Sequence, residues 1–208
     1  MFYLAKTPNW VSKLFKESTW AIPDAEKTIY LTFDDGPHPL ITPFVLKELD
    51  KFGAKATFFC IGKNVAEYPD VFKSILEKGH SVGNHTHNHL NGWKTPNAKY
   101  LQNILEARSF IDSDLFRPPY GRMTSRQKNL LLNLNKPFKV IMWSVLSGDF
   151  DINLTPEKCL DNVIKYSQSG SVVVFHDSEK AYERLLYTLP LMLKYFSEKG
   201  FKFEKIEG

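Results

Sequence analysis

Apolar residues along this chain gather in seven short runs rich in Val, Ile, Phe and Thr, at 28–33, 56–61, 81–83, 115–117, 138–143, 171–175 and 201–205. Those residue types suit a pleated surface, so the runs predict strands. Helix-like stretches lie between them. Pro43 and Pro69 fit early helical positions, where a missing N–H is harmless. Thr155 before Pro156 and Glu157 has the form of an N-cap, and Gly79 and Gly200 each follow a lysine as helix C-termini prefer. Pro190 lies inside a helical stretch, 181–198, and predicts a kink or a break there.

Strands that alternate with helices predict parallel βα units, and several runs are apolar throughout, as expected when both faces are covered. No phosphate-cradling GxGxxG or GxxxxGK[ST] follows the first run. Polar clusters follow the runs instead, which is where α/β barrels place their chemistry. The expected fold is therefore α/β, a distorted TIM-like (β/α) barrel of about seven parallel strands. Residues 28–208 form that domain. Residues 1–27, with Phe2, Tyr3, Trp10, Phe15 and Trp20, are expected to pack on it as an arm.

Composition narrows the field. A chain of 208 residues with 43% hydrophobic and 24% charged residues is an ordinary globular domain. The 27 basic and 23 acidic residues leave a net charge of +4 with no long run of one sign, which argues against a nucleic-acid partner. No run of eighteen apolar residues suggests a membrane span. The first residues lack a continuous apolar stretch and a small-residue cleavage site, so a cytoplasmic location is expected. Cys60 and Cys159 have no CxxC neighbour and read as buried thiols. Oligomeric state is not legible.

Five clusters carry candidate chemistry. In Thr32-Phe33-Asp34-Asp35-Gly36-Pro37, two adjacent carboxylates end an apolar run. Neighbouring side chains on a strand face opposite ways, but a turn at its end can aim both at one place. One acid can then ligate a metal while the other acts as general base. Alone, the same residues are also an ordinary surface turn. In Asn84-His85-Thr86-His87-Asn88-His89, His85 and His89 are four apart and share a face in helical or extended backbone. Such a pair commonly grips a borderline metal. His87 is out of phase and reads as structural. In Arg117-Pro118-Pro119-Tyr120-Gly121, two prolines stiffen a turn that can hold the Tyr120 N–H rigidly as an oxyanion donor. The fourth cluster runs from Trp143 to Asp151. The fifth ends an almost wholly apolar run at His176, which is either a satisfied core histidine or a functional one. A carboxylate with two histidines, a second carboxylate, a rigid N–H and another histidine suit hydrolysis of a carbonyl compound by metal-activated water.

From about Thr28 to Phe203, these motifs in this order resemble the polysaccharide deacetylases with a nodulation-deacetylase homology domain, carbohydrate esterase family four. The resemblance implies a distorted (β/α) barrel and removal of N- or O-acetyl groups from chitin-like, peptidoglycan or xylan substrates. It implies Asp34 as base, Asp35, His85 and His89 as metal ligands, and His176 as acid. Arg117 and Asp149 would orient and tune the base and the acid, and Pro118, Trp143 and Phe175 would line the substrate pocket. Leu146 stands where the family often has Asp, and Phe150 where it has Trp, while Asp149 is kept. Two His and one carboxylate make zinc the expected ion, with cobalt, nickel or manganese as alternatives. The expected partner is a carbohydrate or small N-acyl compound, and the expected reaction N-deacetylation of an amino sugar. A formamide or cyclic imide hydrolase, or an inactive carbohydrate-binding protein, stays open.

Overall fold

A computed structural model of the chain describes residues 3–23 and 27–208, and Phe2 of the expected arm lies outside them. The strands are β1 (Ser18–Thr19), β2 (Thr28–Asp34), β3 (Ala56–Cys60), β4 (Ser81–Asn84), β5 (Leu115–Phe116), β6 (Lys139–Ile141), β7 (Val145–Leu146), β8 (Ser171–His176) and β9 (Lys202–Phe203). The helices are α1 (Asn9–Leu14), α2 (Ile41–Asp50), α3 (Gly62–Glu67), α4 (Pro69–Glu77), α5 (Asn97–Arg108), α6 (Ser125–Leu132), α7 (Pro156–Tyr166) and α8 (Tyr182–Glu198). The described strands form one sheet in the order β1-β6-β5-β4-β3-β2-β8-β7, with β9 added to β2. The pairings between these strands are parallel.

Residues 139–146 curl this sheet into a distorted barrel. Their first half, β6, pairs with β5 and their second half, β7, pairs with β8. The sequence predicts one strand over 138–143. Only Lys139–Ile141 of it is strand, and a split at 142–144 separates it from β7: the Met142 N–H donates to Thr19 O at 2.7 Å, and Arg117 claims the carbonyls of Ile141 and Met142. The chain's N-terminal segment covers the split. β1 pairs with β6, and Leu146 N–H donates to Ala5 O at 2.8 Å.

Strand alternation separates two cores. Leu31, Phe33, Phe58, Val173 and Phe175 face the helices and pack on Leu189, Met192 and Leu193 of α8. Tyr30, Phe59, Leu115, Ile141 and Val172 turn to the barrel interior. Truncating one such fully buried residue, for example Leu189→Ala, should cost roughly 2–5 kcal/mol. The Thr155 hydroxyl caps α7, accepting from Lys158 N–H at 3.3 Å. α8 runs unbroken through Pro190, against the break expected at that proline. Proline forfeits one hydrogen bond, to Leu186 on the exposed side, while Leu185, Leu189, Met192, Leu193 and Phe196 stay buried on the other. Both cysteines are free and buried.

Candidate active site

The inward-facing row of β2 ends in Thr32 and Asp34, and the register sets Asp34 beside His176 of β8. Arg117 reaches this row from the end of β5. Its Nη1 donates to Asp34 Oδ1 and to Thr32 Oγ1, both at 2.7 Å. Nε and Nη2 donate to Ile141 O at 3.1 Å and Met142 O at 3.0 Å. The guanidinium lies 4.1 Å from the Phe59 ring centroid. Arg117 is wholly buried, so this ion pair is one whose single-sided removal leaves an unmatched charge, a loss of about 3–5 kcal/mol. One oxygen of Asp34 is thereby held in place.

Asp35 and two histidines meet at the strand ends. Each of Asp35, His85 and His89 offers one ligand atom, and these atoms lie within 4.8 Å of one another. His89 Nε2 is 3.1 Å and His85 Nε2 3.7 Å from Asp35 Oδ1, yet that oxygen is buried without a well-formed hydrogen bond. The His85 Nδ1–H donates to Arg117 O at 2.8 Å, which leaves its Nε2 lone pair toward Asp35. Burial pushes the His85 pKa down to about 4, so the ring is neutral at pH 7. Burial alone would raise the Asp35 pKa. The His89 ring beside it and the nearby His176 and His85 reverse this and hold it well below the usual carboxylate range. An orphaned buried carboxylate oxygen between two neutral-capable imidazole nitrogens fits a divalent cation.

Backbone strain concentrates here. Asp35, Thr86, His89 and Tyr120 are the described non-glycine residues with positive φ, between 54° and 81°. Such conformations cost on the order of 1–3 kcal/mol each. The spacing argument needed helix or strand for His85 and His89, but a strained loop brings their rings to 5.1 Å.

His176 is held by Asp149 through both carboxylate oxygens. Its Nδ1 lies 2.8 Å from Oδ1, and its backbone N–H donates to Oδ2 at 2.7 Å. Asp149 is buried, and its own carbonyl accepts from Arg184 Nε at 2.6 Å. Burial acts to lower the His176 pKa, but Asp149, then Asp35 and Asp34, push it up to about 9. The ring therefore carries a proton at pH 7. Phe150 stands edge-on to it at 5.3 Å, and Tyr3 packs on Phe150 at 5.0 Å.

Asp177 went unassigned in the sequence, although it follows His176. Its Oδ1 accepts from Gly36 N–H at 3.0 Å, its Oδ2 from the Thr42 hydroxyl, and its own N–H donates to Asp34 O at 3.1 Å. These bonds tie the Asp34–Gly36 turn to β8. A Cβ at Gly36 would meet Asp177 Oδ2 at 2.1 Å, so only glycine fits. Burial, partly opposed by the Thr42 bond, pushes the Asp177 pKa up to about 7. An acid after a strand-end histidine was the available signal, but nothing local names Gly36 and Thr42 as its partners.

The remaining expected residues divide. Tyr120 lies on the rim in the turn 119–121, its ring 4.7 Å from that of His89. Pro118 lines a cavity on the same rim. Trp143 packs near Arg117, 5.9 Å from its ring centroid to the guanidinium, and would sit 2.6 Å from a Cβ at Gly121. Phe175 does not line the pocket. The alternation that turns His176 inward turns Phe175 outward, where it is fully buried and stacks on Phe33 at 6.0 Å. His87 turns away toward α5, its Nε2 3.4 Å from Glu106 Oε1.

The family model for polysaccharide deacetylase matches residues 21–137. A peptidoglycan-N-acetylglucosamine deacetylase of Bacillus cereus is 34% identical over 191 residues, covering 89% of this chain and 89% of that protein. A chitooligosaccharide deacetylase of Azorhizobium caulinodans is 31% identical, covering 73% of this chain and 74% of its own length. Among solved structures, a peptidoglycan N-acetylglucosamine deacetylase crystallised with an N-oxidanyl-benzamide ligand superposes with a TM-score of 0.86 at 28% identity. The match covers 96% of this chain and 95% of that one.

Proposed function

This chain belongs to the polysaccharide deacetylase family, and we propose that it hydrolyses the N-acetyl group of an amino-sugar carbohydrate of the chitooligosaccharide or peptidoglycan kind. The family is metal-dependent, and two His with one carboxylate favour zinc. A divalent ion held by Asp35, His85 and His89 would supply Lewis-acid chemistry, polarising the acyl carbonyl and making water acidic enough to attack.

The chain's own groups complete the reaction. Asp34 takes the proton of the attacking water on the oxygen that Arg117 leaves free. The stiff Pro118–Pro119 turn sets the Tyr120 N–H to stabilise the oxyanion. Asp149 fixes Nδ1 of His176, so the ring presents Nε2 and gives its proton to the amine as the C–N bond breaks. The observation that carries this reading is the orphaned Asp35 oxygen between two imidazoles, flanked by one carboxylate held by Arg117 and one histidine held by Asp149.

The test is amine release by zinc-loaded protein from chitooligosaccharides and peptidoglycan fragments, with acetylxylan and cyclic amides alongside. Release of amine from N-acetyl sugars is expected. Turnover of cyclic amides alone would overturn the substrate assignment.

A further inference from the structure

The N-terminal arm runs antiparallel along the edge of β7 that β8 leaves open, with Lys6 opposite Val145. Thr7 N–H donates to Ser144 O at 2.9 Å, and the Thr7 hydroxyl donates to Trp143 O at 2.8 Å. Together with the bond from Leu146 N–H to Ala5 O, these contacts fix the arm on residues 143–146 and carry Tyr3 onto the loop that follows β7. Gly148 makes room for it there: a Cβ at that position would meet Tyr3 Oη at 2.9 Å.

Tyr3 grips this loop at two consecutive residues. Its ring packs on Phe150 at 5.0 Å with 58° between the planes, and its hydroxyl hydrogen-bonds the Asp151 carboxylate. Burial and that carboxylate push the Tyr3 pKa up to about 12, so the hydroxyl remains a donor at neutral pH. The gripped loop is itself braced. Asp151 N–H donates to Gly148 O at 2.9 Å, and Asp151 Oδ1 accepts from Asn153 N–H at 3.1 Å. Phe150 passes the grip on, because its ring meets the His176 ring edge-on, 5.3 Å away at 71°.

His176 needs such a contact. Asp149 holds one ring atom, Nδ1, at 2.8 Å. The second side-chain torsion of histidine is broad, so one hydrogen bond leaves the ring able to swing, and Nε2 with it. Proton delivery needs Nε2 within hydrogen-bond reach of the leaving nitrogen, and a displacement of about 1 Å can cost ~10²-fold in rate. A second ring packed edge-on narrows that swing. Phe150 is only partly buried, so it serves this purpose while its own ring is held, and Tyr3 holds it.

We propose that Tyr3 is a positioning residue for the acid: through Phe150 it sets the orientation of the His176 ring, so that the arm takes part in protonating the departing amine. The inference rests on the deacetylase reading above.

The experiment compares zinc-loaded wild type, Tyr3→Ala, Tyr3→Phe, Phe150→Ala and the double variant Tyr3→Ala/Phe150→Ala on an N-acetylglucosamine oligomer and on an activated phenyl acetate. Tyr3→Ala should lower kcat on the oligomer by ~10-fold or more, the scale of a misplaced group, with little change in KM. The phenyl acetate rate should fall far less, because a phenolate leaves without a proton. Tyr3→Phe keeps the ring and should keep most of the rate. In the Phe150→Ala background, loss of Tyr3 should cost nothing further, since its action passes through that ring. The imidazole C–H proton resonances of His176, assigned by their absence in His176→Gln, should shift in Tyr3→Ala and stay in place in Tyr3→Phe. Equal losses on oligomer and ester, additive losses in the double variant, or unmoved His176 resonances in Tyr3→Ala overturn the inference. If wild type releases no amine, the deacetylase reading falls, and the His176 resonances alone decide whether Tyr3 orients the ring.

Discussion

Replacing Asp149 by Asn tests how the proposed acid is set. Both oxygens of Asp149 accept, one from the His176 ring and one from its backbone N–H. Asn keeps the shape but offers one accepting oxygen, so its NH₂ must face one of those donors. A buried donor left unpaired costs about 1–3 kcal/mol. The charge matters separately. Burial lowers the His176 pKa, and the carboxylates, Asp149 foremost, raise it from the ordinary 6.5 to about 9. That rise is worth ~3 kcal/mol at 1.36 kcal/mol per pH unit. For a basic group with a raised folded pKa, this stability is fully present below pH 6.5 and lost as pH climbs through about 9. The stability gap between wild type and Asp149→Asn, read by denaturant unfolding, should therefore be widest below pH 6.5 and narrow by ~3 kcal/mol above pH 9. Activity gives the second readout. With His176 deprotonated at neutral pH, hydrolysis of an N-acetyl sugar should fall ~10²-fold or more, on the general-acid scale. An activated phenyl acetate, whose leaving group needs no proton, should suffer far less. Equal losses on amide and ester, together with a stability gap that does not vary with pH, would refute the role given to this pair.

Other outcomes follow from the same geometry. Chelation should abolish activity, and His85→Ala should lose the ion while His87→Ala keeps it; elemental analysis showing as complete a loss in His87→Ala would overturn this ligand assignment. Asp34→Asn should retain metal and lose catalysis by ~10²-fold or more, whereas Asp35→Asn should weaken metal binding; the reverse pattern would exchange the two roles. His80 is buried at the foot of β4, its Nδ1 accepting from Ala56 N–H at 3.2 Å, and burial pushes its pKa down to about 4. The unfolded chain binds this proton more readily, so wild type should lose up to ~3 kcal/mol relative to His80→Gln as pH falls from 6.5 to 4. Parallel acid unfolding curves for the two proteins would contradict that account.

The chemistry of this chain is legible in its sequence because each βα unit is local. An apolar run must end where its strand leaves the core, so position marks the polar clusters that hold Asp34, Asp35, His85, Arg117, Asp149 and His176, while the role expected of each came from the family resemblance. The inward course of His176 also implies, by the two-residue period, that Phe175 faces the helices, although the expectation ran the other way. What tertiary structure decided depends on partners distant in sequence. The strand expected over 138–143 stops at Ile141 because Arg117 and Thr19 take the backbone groups at its end. Asp177 finds Gly36 and Thr42 across more than 130 residues. The cavity that Pro118 lines exists only where Phe15 and Trp20 of the arm meet the rim. Hydrophobic period specifies which face a side chain takes within its own element. It carries no information on which other element that face will meet, because register and closure are set by the packing of the whole barrel.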